Sequence, residues 1–123
     1  MTWEHSSSDL VKLFAEITPR GPNIQHKMIF GYPGAFVNRY LFTALFRQSL
    51  IFRLSVNDQA AFLDQPGTEP FEPIPGRKMG GFVLLRNPFA AGEEEISNWM
   101  RCALQFASGL PPKKKKTVRK KAL

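Results

Sequence analysis

The chain has 123 residues, 43% of them apolar, and a formal net charge of +7. That length gives one domain plus tails, and eleven phenylalanines suffice for one core. No run approaches the roughly 18 apolar residues of a membrane span. The start, Met-Thr-Trp-Glu-His-Ser, lacks the basic-then-apolar order of a secretion signal. Cys102 is the single cysteine, which excludes an internal disulfide and fits a reducing cytosol. The charge is unevenly placed. Lys113, Lys114, Lys115, Lys116, Arg119, Lys120 and Lys121 hold seven of the 17 basic residues, and the other ten balance ten acidic residues that all lie earlier. The body is formally neutral, and the basic character belongs to residues 111–123.

In chain order, Ser6-Ser-Ser-Asp9 has the spacing of a capping box, with Ser6 as N-cap and Asp9 at the third helical position. Leu10, Leu13, Phe14 and Ile17 follow at helical spacing, and Thr18-Pro-Arg-Gly-Pro22 stops the helix. Lys27 to Leu54 then places seven aromatics and no acidic residue in 28 positions. Turn signals at Gly31–Gly34 and Val37–Tyr40 punctuate it, and Arg47-Gln48 splits its second half. Tyr40, Phe42, Ala44 and Phe46 alternate onto one face, and Leu50, Phe52 and Leu54 resume the period. Period two with short breaks predicts an antiparallel meander of about three strands.

Ser55-Val-Asn-Asp58 starts a short second helix with Val56, Ala60 and Leu63 as its apolar stripe, closed by Pro66-Gly67. Glu69 to Lys78 is proline-rich, so any strand there is short or at an edge. Phe82 to Arg86 is continuously apolar up to its last residue, which predicts a central strand. Glu93, Glu94 and Glu95 suit the first turn of a last helix. Ile96, Trp99, Met100, Ala103 and Ala107 form its apolar face, and Gly109 with Pro111-Pro112 ends it. The expected order is α-β-β-β-α-β-β-α. This is an α+β, two-layer domain over residues 1–110, with a mostly antiparallel sheet and helices on one face.

Motifs for catalysis are absent: there is no P-loop, dinucleotide-binding or nucleophile-elbow pattern. His5 and His26 are not at metal-ligand spacing from each other or from Cys102. Glu93, Glu94 and Glu95 splay around a helix and complement its dipole rather than converge on an ion. Cys102 sits beside the core stripe of the last helix, where an inert half-buried thiol is expected. Gly76-Arg-Lys-Met-Gly-Gly81 is a cationic, glycine-rich loop of the kind that either binds an anion or simply leads into a strand. Ala35-Phe36-Val37 resembles a fragment of an RNA-recognition signature, but Gly34 and Tyr32 stand where an aromatic and a cation are needed. No catalytic residue, cofactor or metal is expected.

Phe30-Gly31-Tyr32-Pro33, Ala35-Phe-Val-Asn38, Leu50-Ile-Phe-Arg-Leu-Ser55 and Pro70-Phe-Glu-Pro-Ile-Pro-Gly-Arg77 occur in that order. Together these blocks resemble the TfoX N-terminal domain family, small bacterial α+β domains named for a regulator of competence for DNA uptake. The resemblance covers most of residues 27–110. Two departures are visible. Ile29 intervenes between Met28 and Phe30 where the family usually reads Met-Phe-Gly. Asn38-Arg39 also stands where the family often has Asn-Gly, so a different or longer turn is expected there.

The resemblance implies a two-layer fold and a cytoplasmic, non-catalytic regulatory or protein-interaction module connected with transcription, with a protein partner. A homodimer is expected because a small antiparallel sheet has edges to cover. The competing reading is a nucleic-acid accessory protein. Lys113 to Lys116, Arg119, Lys120 and Lys121 cannot build a core and are expected to be disordered in solution and to bind polyanions without reading sequence. A third reading is an enzyme acting through an unrecognised cleft.

Overall fold

The computed structural model describes residues 4–111. Helix α1 (Ser8–Ile17) starts at Ser7, whose hydroxyl accepts the Leu10 N–H at 3.1 Å. The expected cap was one residue earlier. Ser6 instead donates its hydroxyl to the Arg47 carbonyl at 2.5 Å, so a long-range contact takes the side chain that the local pattern assigned to the cap. Leu10 and Phe14 are the buried residues of α1. The helix stops at Thr18, whose N–H and hydroxyl both donate to the Phe14 carbonyl.

Four strands follow where about three were expected: β1 (Ile24–Ile29), β2 (Tyr32–Val37), β3 (Tyr40–Phe46) and β4 (Ser49–Arg53). The difference arises at Phe30-Gly31, a two-residue turn with φ of 54° and 85°. Two successive positive φ values are the type I′ pattern that matches the strand twist. The next turn, Asn38-Arg39, has φ of 50° and 73°. It therefore keeps the tight hairpin geometry instead of changing type or lengthening, with Arg39 accepting a left-handed backbone. Arg47, at φ 57°, makes the third turn.

After β4 come α2 (Val56–Leu63), β5 (Thr68–Pro70), β6 (Phe82–Leu85), the single-turn α3 (Pro88–Ala91) and α4 (Glu93–Ser108). Six strands form one antiparallel sheet in the order β1-β2-β3-β4-β6-β5. The fold is α+β. Its order departs from the expected one only by the extra first hairpin strand and by α3, which Gly92 at φ 89° separates from α4.

The helices pack on one face of the sheet. Phe42, Leu45, Leu50, Phe52, Val83 and Leu85 meet Leu10, Phe14, Phe62, Ile96, Met100, Ala103 and Ala107 there. The Phe62 ring stands edge-on to both Phe52 and Trp99. The expected α2 stripe is revised: Phe62 is the buried residue of α2, while Val56 is 81% exposed, because the helix leans on β5 and β6 through its C-terminal turn. The expected β3 alternation is also revised. Ala35 pairs with Thr43 but Phe36 pairs with Leu41, leaving Phe42 as an extra residue on β3. This bulge reverses the parity of the strand. Phe42 faces the helices, while Ala44 joins Leu41, Ile51, Phe71, Phe82 and Leu84 in a second cluster on the opposite face. A side chain buries that face too. Phe71 stands edge-on to Phe46 at 5.1 Å, and its segment is tied down by the Phe71 N–H to the Phe82 carbonyl and the Met79 N–H to the Phe71 carbonyl.

Candidate functional site

Opposite the helices, the sheet carries a groove of about 570 Å³. Its floor is apolar because Phe46 closes β3 and Leu84 lies in β6, with Pro70 and Pro75 as walls. Its rim is charged because the strand ends and the proline-rich loop bring Arg47, Glu69, Glu72, Lys78 and Arg86 together. No histidine or cysteine lines it.

The rim charges are held differently. Arg86 Nη1 lies 3.7 Å from Glu69 Oε1, with both side chains about half exposed, so the pair contributes little. The Glu72 carboxylate accepts the Gly76 N–H and thereby shapes the proline-rich turn. The Arg47 guanidinium sits over the Phe46 ring, 5.0 Å from its centre. Arg86–Glu69 is the one ion pair among the described residues, so the Lys78 ammonium is not matched by a carboxylate there. An apolar floor under two carboxylates and three cations can seat an extended, partly apolar segment that carries charges of both signs.

The N-terminal segment is strapped beside this groove. The Gln48 side chain accepts the Ser7 N–H at 3.0 Å and donates to Glu4 Oε2 at 2.9 Å and to the His5 carbonyl at 2.8 Å. Tyr32 donates its hydroxyl to the Glu4 carbonyl at 2.5 Å. Residues 4–7 are thereby fixed against the β3–β4 turn. Sequence reasoning marked Arg47-Gln48 only as a break. Nothing local announces that an exposed Gln will bind a segment 41 positions or more away.

The other singled-out residues are scattered. His26 is on β1, with Nε2 3.0 Å from the Pro19 carbonyl. His5 contributes its backbone to the strap. Cys102 is half-buried in α4; burial pushes its thiol above the ordinary value, Asp58 adds to that, and Arg101 opposes it. Among the described residues no His, Cys, Asp and Glu side chains group for a metal ion, and no helix is long and apolar enough to cross a membrane. The Phe36 ring of the RNA-like fragment lies under the Lys27 ammonium at 4.8 Å. From the cationic loop, only Lys78 reaches the groove lining. The tail cations Lys113, Lys114, Lys115, Lys116, Arg119, Lys120 and Lys121 lie outside the described residues. The described chain ends at Pro111, whose carbonyl accepts the Tyr40 hydroxyl at 2.5 Å. Tyr40 begins β3 and Phe46 ends it, so that point and the groove lie about 20 Å apart, at opposite ends of the strand.

No protein-family model matches this chain, and no curated protein or solved structure matches it significantly.

Proposed function

We propose that this protein is a non-catalytic regulatory module of the TfoX N-terminal type, acting by protein interaction in the cytoplasm in connection with transcription, and that the groove opposite the helices receives the partner. The observation that carries this reading is the groove itself, an apolar floor under a mixed-charge rim. The ordered blocks from Phe30 to Arg77 support it, because the last of them, Pro70 to Arg77, supplies the groove's proline-rich wall through Pro70, Glu72 and Pro75. A partner segment would lay apolar side chains on Phe46 and Leu84 and offer a carboxylate to Lys78.

The test is affinity capture from the native cell with three forms of the chain: wild type, Lys78→Glu with Arg86→Glu, and a chain ending at residue 110. A partner retained by the shortened chain and lost by the charge-reversed one is the expected result. Retention by the charge-reversed chain would remove the groove from consideration.

The tail favours a second reading, a non-specific nucleic-acid accessory protein. It holds seven cations within nine residues, equal to the whole net charge of the chain. Under that reading, capture of nucleic acid disappears with residues 111–123 and is indifferent to the groove substitutions. Homodimerisation belongs to the interaction-module reading.

A further inference from the structure

Strand β1 is an edge strand six residues long, paired to β2 without interruption from Ile24↔Val37 to Ile29↔Tyr32. Natural sheets blunt such edges by shortening them, by proline, by bulges or by projecting charge. The other edge, β5, is three residues long and ends in Pro70. β1 contains no proline and no bulge. Its one cation, Lys27, is laid back over the Phe36 ring on the face away from the helices instead of projecting from the edge.

The direction of its backbone groups follows from the turn. Ile29 and Tyr32 close a two-residue hairpin, so they form a hydrogen-bonded pair, and the odd-numbered residues of β1 bond to β2. The bond from the Asn38 N–H to the Asn23 carbonyl continues that series. The groups of His26 and Met28 therefore point outward. So does the Ile24 carbonyl, while the Ile24 N–H turns to the Gly21 carbonyl at 3.1 Å. Beside them stand two bare apolar side chains, Met28 at 63% and Phe30 at 81% exposure. Phe30 also holds a left-handed backbone at φ 54°, a conformation costly for an aromatic residue.

We propose that a second copy of this chain docks on β1, antiparallel, about a two-fold axis through His26, joining the two six-stranded sheets edge to edge. A two-fold contact must be self-complementary, and the alternating pleat restricts which symmetric registers are open. Two of them use the whole strand. An axis through Lys27 sets Met28 opposite the partner's His26, an apolar side chain against a polar one, and places the two Lys27 backbones in register. An axis through His26 sets Lys27 opposite the partner's Gln25 and Met28 opposite the partner's Ile24, and brings Phe30, in the turn that follows β1, toward the partner's Pro22, in the turn that precedes it. Each exposed apolar group then meets an apolar one. The outward groups of His26 exchange hydrogen bonds with their copies, and the Met28 N–H reaches the partner's Ile24 carbonyl. The formally neutral body adds no net repulsion.

This deepens the interaction-module reading on a surface separate from the groove. Sedimentation of the full chain over a concentration series tests it. Wild type is expected to reach twice 13.9 kDa. His26→Lys, which places two ammonium groups at the axis, is expected to remain monomeric with a wild-type melting curve at dilution. Lys27→Gln is expected to dimerise like wild type. Phe30→Asn keeps the turn but removes the exposed ring, and is expected to weaken dimerisation about tenfold. A wild type that is monomeric at every concentration, or a dimer indifferent to His26→Lys, overturns the proposal. A dimer strengthened by Lys27→Gln overturns the His26 register. A monomer whose capture still depends on Lys78 and Arg86 would sink this inference alone, whereas the reverse pattern would sink the groove reading alone.

Discussion

Two side chains at the residue scale decide more than their exposure implies. Gln48 spends its whole amide on residues 4–7, accepting one backbone N–H and donating to a carboxylate and a carbonyl. Gln48→Ala leaves the Ser7 N–H to water. It is expected to lower stability by about 1 kcal/mol, since these bonds are exposed and each contributes modestly. Amide exchange at Ser7 should accelerate well beyond the change in global stability. If it tracks global unfolding alone, the strap is not a local device.

Cys102 makes the opposite case, a reactive residue type kept quiet by its surroundings. With the thiol shifted upward by burial and by Asp58, native Cys102 should alkylate more slowly than the unfolded chain at neutral pH. The linkage has a definite sign. A pKa raised in the folded state contributes stability that is full below the ordinary thiol value and is lost as pH rises through the folded value. A urea midpoint that rises over that alkaline window would contradict the shift.

At the scale of elements, caps and bulges place the core. Ser7, not Ser6, satisfies the first turn of α1. Ser7→Ala should therefore cost about 1 kcal/mol, and Ser6→Ala, which loses only an exposed bond to Arg47, about 0.5 kcal/mol or less. Equal losses in chemical denaturation would mean that the capping register is wrong. The β3 bulge has a larger effect, because one extra residue moves Ala44 from the helix face to the other. That shift adds Ala44 to Leu41, Ile51, Phe82 and Leu84, the apolar cluster that Phe71 joins on the face away from the helices.

For the whole molecule, the core among the described residues includes Phe14, Phe42, Phe52 and Phe82, with Trp99 half-buried against it. A chain ending at Leu110 loses the Pro111 acceptor of Tyr40, an exposed contact. Its stability should change by about 0.5 kcal/mol, and a large fall in melting temperature would show that the tail packs on the body. If the tail binds duplex DNA through all seven cations, log K should fall against log salt with a slope of about −6, nearly equal for unrelated sequences. Replacing Lys113 to Lys116 with Ala should flatten that slope by several units. Salt-insensitive or sequence-selective binding would move the determinant onto the folded body.

Period and punctuation made the elements legible. Alternating aromatics between turn residues announced the hairpins, and the acidic first turn and apolar stripe of residues 93–108 announced α4 almost residue by residue. Charge arithmetic alone separated a neutral body from a basic tail. These are local properties, written in neighbouring residues. The groove and the N-terminal strap were not legible, because each joins residues far apart in the chain: Phe46 with Leu84, Arg47 with Lys78, Gln48 with Glu4. The same holds for the exposed β1 edge, which is an edge only because every later strand adds on the other side of β2. Local pattern chose the strands; which of their faces and edges stayed open was decided by packing, where one bulged residue reverses a face and the order of pairing leaves one strand bare.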